Sequence, residues 1–217
     1  VYNFRFISRD ALVWFFEQFN TAFTSLNPTL KEYASQYGTP FYHSFFLFNA
    51  FFLVLTSFSL SEIFALKTFA KTSEVVKIII HTFILLLISI TSYVLTPYDS
   101  PALFLFAITV FFTLKYFEER KPQQLIVISA LIFISTLNRE TSSLNIAFLG
   151  ALFLDKEILK KEKLQKFTRI IALPVFAFLL AYISVRIFMK TDEATVSEGI
   201  YLVQNLTKPN NLLGILF

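Results

Sequence analysis

Few residues in the chain are able to do chemistry, and two short stretches collect the most promising of them. Leu137-Asn138-Arg139-Glu140-Thr141 sets an arginine and a glutamate side by side between two apolar runs, 125–136 and 146–154. Thr96-Pro97-Tyr98-Asp99-Ser100-Pro101 precedes another apolar run, 102–117. A charge inside a bilayer costs about 2.5–3.5 kcal/mol even on the mildest insertion scale, so such residues usually face a cavity or a partner. The guanidinium fork of Arg139 suits an anionic group such as a phosphate. Glu140 would then orient Arg139, ligate a metal or act as a base. The plainer alternative is a solvated turn, or charges paired with each other or with neighbours. Asp99 or Ser100 suits a helix cap, with Pro101 in the first turn. A cap does not exclude a site, because helix N-termini also attract phosphates. Tyr98 adds a hydroxyl there, though interfacial tyrosines are common. Arg5 and Arg9, in Phe4-Arg5-Phe6-Ile7-Ser8-Arg9, could hold lipid headgroups or a phosphate; surface arginines often do nothing more specific.

The elements that must position these residues are membrane segments. The chain is 55% hydrophobic and 16% charged, with 29 phenylalanines and 4 glycines among 217 residues. A soluble chain is about 45–50% apolar and about 25% charged, so this is a polytopic membrane protein. There is no cysteine, which excludes a disulfide framework and any cysteine-based metal site. The net charge of +4 is better explained by lysines gathered on a cytoplasmic face than by a nucleic-acid partner. No Gly-rich phosphate loop, HExxH or nucleophile elbow is present.

We expect an all-α transmembrane bundle of six membrane segments, two of them short: 41–66, 76–95, 102–117, 124–137, 143–154 and 170–189. Pro174 lies within the last and is a candidate kink. Residues 1–40 form an extracytoplasmic arm. Ser8 or Asp10 is a candidate cap for a helix running to Ala22, whose apolar residues Leu12, Phe15, Phe16, Phe19 and Phe23 make an amphipathic stripe. With Trp14 beside it, the helix suits the membrane interface; packing on a protein core is the alternative. Asn27-Pro28 breaks that pattern and Gly38-Thr39-Pro40 marks a turn. Residues 41–189 are the transmembrane domain, and 190–217 form an extracytoplasmic segment. The stretch from Asn211 to Phe217 reads as the start of a further helix. With Val1 in place of a methionine, a further helix is expected at each end.

Lysine and arginine placement sets the orientation. Loops 67–77, 115–122 and 155–169 hold twelve of these residues; the longer opposite segments 1–40, 97–101, 138–141 and 190–217 hold six. The first set is expected on the cytoplasmic side. The assignment depends on a break near 138–141, since one helix over 123–154 would be roughly 48 Å long and would carry the basic 155–169 linker outside. His43 and His81 fall on opposite sides and cannot share a metal. Asn49 and Glu62 are expected to hydrogen-bond between helices.

The order Tyr98-Asp99-Ser100-Pro101, a membrane segment, Glu119-Arg120-Lys121, a second segment, then Leu137-Asn138-Arg139-Glu140-Thr141 resembles a group of bacterial multi-pass membrane proteins of the GT-C glycosyltransferase type. Phe4-Arg5-Phe6-Ile7-Ser8-Arg9 is similar to the arginine-bearing segment of that group's first outer loop. The resemblance covers residues 1–20 and 85–155. It implies an all-helical enzyme of the bacterial inner membrane. Such an enzyme takes a sugar from a polyprenyl-phosphate carrier on the extracytoplasmic face, in some cases with a divalent metal. It implies substrate contacts at Arg139, Arg5, Arg9 and Tyr98, and a base or metal ligand at Asp99 or Glu140. An acidic residue in the first outer loop is the usual base of that type. Here only Asp10 and Glu17 precede Glu32, so the base could lie upstream of Val1. A transporter or lipid flippase, and a non-catalytic scaffold, remain the alternatives.

Overall fold

The computed structural model describes residues 6–36, 39–92, 99–154 and 161–188. All of its regular structure is helical: α1 (Phe6–Thr24), α2 (Pro28–Gln36), α3 (Pro40–Ala65), α4 (Glu74–Ser92), α5 (Asp99–Glu119), α6 (Pro122–Asn138), α7 (Ser143–Phe153) and α8 (Lys161–Phe188). Short 3-10 turns over Lys67–Phe69 and Glu140–Ser142 complete it. Among the described residues, three stretches are long and apolar enough to cross a membrane: α3, α5 and Lys163–Val185 within α8; α6 and α7 are shorter apolar helices. The chain is thus a helical protein with the make-up of a multi-pass membrane protein.

Local chemistry sets several helix starts. Thr39 caps α3, its hydroxyl accepting the Tyr42 N–H at 3.2 Å, and Pro40 occupies the first turn, where a missing N–H costs nothing. Pro122 opens α6 in the same way. Asn27 Oδ1 accepts the Thr29 N–H at 3.0 Å, so Asn27-Pro28 starts α2 as well as ending the first helix. Ser8 and Asp10 lie inside α1, which is already helical at Phe6. α8 continues through the buried Pro174.

The apolar stripe of α1 is covered by protein. Leu12 and Phe23 are buried, Phe15 meets Phe48 and Phe16 meets Phe41, while Trp14 on the other side is 62% exposed. The helix therefore packs on the first half of α3 and touches α6. An exposed interfacial aromatic remains, but the stripe is not left for lipid.

Contacts fix the helix directions. Ser57 of α3 meets His81 of α4, and Thr68, just past α3, meets Glu118 at the end of α5. α3 and α5 therefore run the same way. Phe153, at the end of α7, packs on Tyr116 and Phe117 at the end of α5, beside the start of α6. α6 and α7 are therefore antiparallel, and the chain reverses at 139–142. Two apolar clusters hold the bundle. One joins Tyr116, Ile128, Ile132, Leu149 and Ile170, from α5 to α8. The other joins Leu60, Ile63 and Leu114, where α3 meets α5, with Ile84 and Leu85 of α4 against it. The halves of the hairpin are unequal. α6 begins at Pro122 and its 17 residues extend about 25 Å; the 11 residues of α7 extend about 16 Å, short of the roughly 30 Å hydrocarbon core.

Candidate functional site

The reversal at 139–142 is built without glycine or proline. α6 ends at Asn138, and Arg139 takes an extended conformation (φ −158°, ψ 133°) while its N–H still donates to the Ser135 carbonyl at 2.7 Å. One extended residue breaks the helix direction at no steric cost. The 3-10 turn follows, with the Ser142 N–H donating to the Arg139 carbonyl at 3.2 Å. The Thr136 and Ser142 hydroxyls lie 2.6 Å apart, stapling the returning chain to the last turn of α6. Ser142, near the start of α7, is thus level with Thr136, and the α7 half begins below the end of α6.

The extended Arg139 sends its side chain to Asp99. Nη1 donates to Asp99 Oδ1, and the two form an ion pair. The helices place these charges well. Asp99 lies in the first turn of α5 and Arg139 caps α6 at its C-terminus, so each charge opposes the end dipole of its own helix. The burial is asymmetric: the Asp99 side chain is 8% exposed and that of Arg139 is 37%. Ser100 and Pro101 beside Asp99 are buried as well. A carboxylate so enclosed needs its arginine, whereas the partly exposed guanidinium can be approached by a second anion.

Buried polar side chains flank the reversal in sequence. Ser135, Thr136, Asn138, Ser142 and Asn145 are all buried. The Thr136 hydroxyl donates to the Ile132 carbonyl at 2.6 Å. Asn145, in the first turn of α7, has neither its Oδ1 nor its Nδ2 in a hydrogen bond. Sequence reasoning passed over Asn145, because one asparagine in an apolar run also reads as an ordinary interhelical residue.

Of the other candidates, Glu140 opens the 3-10 turn directly after Arg139, and Arg9 lies on α1. Arg5 and Tyr98 fall outside the described residues. His43 Nε2 lies 3.0 Å from the Ala34 carbonyl oxygen, and His81 Nε2 lies 3.0 Å from the Ser57 hydroxyl. Both histidines thus serve packing between elements. Asn49 and Glu62 depart from expectation: Oδ1 of Asn49 is buried without a partner, and Glu62 is exposed. No group of three His, Asp or Glu side chains able to hold a metal occurs among the described residues. With Asp99 engaged by Arg139, the described donor set does not fit a divalent metal.

The opposite end of the bundle carries a second set of charges. Glu118 accepts from the Thr68 N–H and hydroxyl at 2.6 and 2.7 Å. Glu119 pairs with Lys121 at 2.8 Å and accepts from Gln124 Nε2 at 2.8 Å. Arg120 has φ +56°, the one non-glycine positive φ among the described residues, and its guanidinium lies over Phe117 and Phe153 at 5.0 and 4.3 Å from the ring centres.

Comparison with protein-family models, with curated proteins and with solved structures finds no match to the chain.

Proposed function

We propose that the chain is a GT-C-like membrane glycosyltransferase that takes a sugar from a polyprenyl-phosphate carrier on the extracytoplasmic face of a bacterial inner membrane. The observation that carries this reading is the Asp99–Arg139 pair at the helix reversal. It holds a partly exposed guanidinium at one end of an apolar bundle, where a lipid-linked phosphate can reach it. The lysine-rich opposite loops put that end outward.

In this reading Arg139 binds the carrier phosphate and Asp99 is a positioning residue that fixes the guanidinium. By the resemblance, Arg9, Arg5 and Tyr98 are the further candidates for contact with the phosphate. An acceptor hydroxyl oxygen attacks the sugar's anomeric carbon. The bond from that carbon to the phosphate oxygen breaks, and its electron pair stays on the carrier phosphate. Arg139 stabilises that developing charge. The acceptor proton passes to a carboxylate, for which Glu140 is the candidate because Asp99 is engaged.

The test uses the full-length protein in membranes with a labelled polyprenyl-phosphate sugar. Arg139→Ala and Glu140→Gln should each cut transfer by about 10²-fold or more. Transfer by both variants at the wild-type rate would refute the site.

A further inference from the structure

α8 is longer than a bilayer needs. Its 28 residues extend about 42 Å, against a hydrocarbon core of roughly 30 Å. The excess falls at its start, where residues 161–169 hold four Lys/Arg and one Glu. A Cβ at Gly150 would lie 3.9 Å from the Phe167 ring, so this part of α8 is level with the last turns of α7, at the Arg120 end of the bundle. The helix divides into two faces. Ile170, Pro174, Ala177 and Ala181 are buried. Lys166, Arg169, Leu173, Phe176, Leu180 and Ile183 are exposed and recur at steps of three and four, which makes them one stripe. The stripe changes character along its length, from two cations at the bundle end to four apolar residues. Neither cation has an ion pair among the described residues.

Two other exposed apolar helices differ at this level. α3 exposes Glu62 in its last turn, below the exposed Phe58. α4 begins with Lys77 paired to Glu74 at 2.8 Å. An acidic rim repels an anionic headgroup, and a neutralised one gives it little to bind. On α8 the charge is uncompensated and stands directly above an apolar track. Leu173, Phe176 and Leu180 lie about 6, 10 and 16 Å along the axis from Arg169, which spans the roughly 15 Å depth of one leaflet. We propose that this face of α8 binds an anionic phospholipid, with its phosphate on Lys166 and Arg169 and an acyl chain along Leu173, Phe176 and Leu180. The guanidinium fork suits phosphate oxygens, and the lysine stem can lie on apolar surface while its ammonium reaches the headgroup. The inference does not depend on the glycosyl-transfer reading, because it uses the other end of the bundle.

The experiment places a tryptophan on the apolar track. Full-length protein carrying Phe176→Trp is reconstituted in phosphatidylcholine nanodiscs, and the emission of the unsubstituted protein is subtracted. Phosphatidylglycerol and phosphatidylcholine with brominated acyl chains are compared as quenchers. Phosphatidylglycerol should associate with this position about tenfold more strongly than phosphatidylcholine. Adding Lys166→Gln or Arg169→Gln should lower that ratio by about threefold to fivefold, and the two together should bring it close to one. High salt should lower it as well. Lys166→Arg with Arg169→Lys keeps both charges and should keep the preference, which separates loss of charge from loss of fold. Lys71→Gln removes an exposed charge at the same end, away from α8, and should leave the ratio within about twofold. A ratio near one in wild type, or one that survives the double glutamine substitution, would overturn the inference. So would an equal loss in Lys71→Gln, which would mean diffuse attraction to the whole end of the bundle. Absence of quenching by either lipid would also overturn it, by showing that a second copy or another protein segment covers this face.

Discussion

At the Arg120 end of the bundle, charged groups are exposed or half-exposed and held by surface contacts: Glu118 to Thr68, Glu119 to Lys121, Arg120 over two phenylalanine rings. At the Asp99 end, a carboxylate is nearly enclosed, its arginine is partly exposed, and an asparagine amide is buried without a partner among the described groups. The first arrangement works in contact with water, where such pairs add little stability and serve to cap and pin helix ends. The second works where water is scarce and every polar group must be matched. The same residue types therefore have different consequences. An arginine at one end is packing; an arginine at the other holds a buried charge and is itself partly exposed.

The sharpest way to break this contrast is to ask whether the two ends face opposite sides of a membrane. The chain has no cysteine, so single substitutions report without background. Gln36→Cys and Thr141→Cys should react with an impermeant maleimide added outside intact cells, and Ser73→Cys should react only after permeabilisation. All three positions are exposed. Labelling of Ser73→Cys from outside would invert the orientation.

Next in size is the stability asymmetry within the ion pair. Arg139→Ala leaves Asp99 enclosed without its arginine and should cost roughly 2–3 kcal/mol in detergent unfolding, below the about 3–5 kcal/mol of a fully buried pair because Arg139 is part-exposed. Asp99→Ala frees a guanidinium that can regain water and should cost about 1 kcal/mol. Equal losses would mean that the burial difference has no energetic weight.

The smallest effects belong to the other end. Arg120→Ala keeps the left-handed backbone and loses two ring contacts, each worth about 0.5–1 kcal/mol at an exposed site. Arg120→Gly loses the same contacts but relieves a conformation that costs about 1–2 kcal/mol in an L-residue. Glycine should therefore be less harmful than alanine there, the reverse of the order expected inside a helix.

Much of the fold was legible because lipid-facing helices must be apolar throughout. Each of the six apolar runs corresponds to a helix, with most ends shifted by three residues or fewer; α8 is the exception, starting at Lys161 because the charged residues 161–169, read as a linker, continue the helix. The break at 138–141 was legible from length and lysine placement, although no turn residue announces it. Its mechanism was not, since an extended Arg139 needs no glycine to signal it. The short helix α2 was hidden because Asn27-Pro28 stops one helix and starts the next, and only the first role was read. The left-handed Arg120 had no sequence marker. Asp99 and Arg139 were assigned to one side by charge counting, but their pairing depends on how the start of α5 lines up with the end of α6, which charge counting does not fix. Asn145 was invisible, because its meaning lies in partners that it lacks.

The central claim is that the two arginines differ in kind. Binding of labelled polyprenyl phosphate to the full-length protein in nanodiscs tests it directly, comparing wild type, Arg139→Ala and Arg120→Ala. Loss of charge-assisted hydrogen bonds should weaken Arg139→Ala by about 10- to 100-fold and leave Arg120→Ala within about twofold of wild type. Equal weakening by both substitutions, or by neither, would contradict the account.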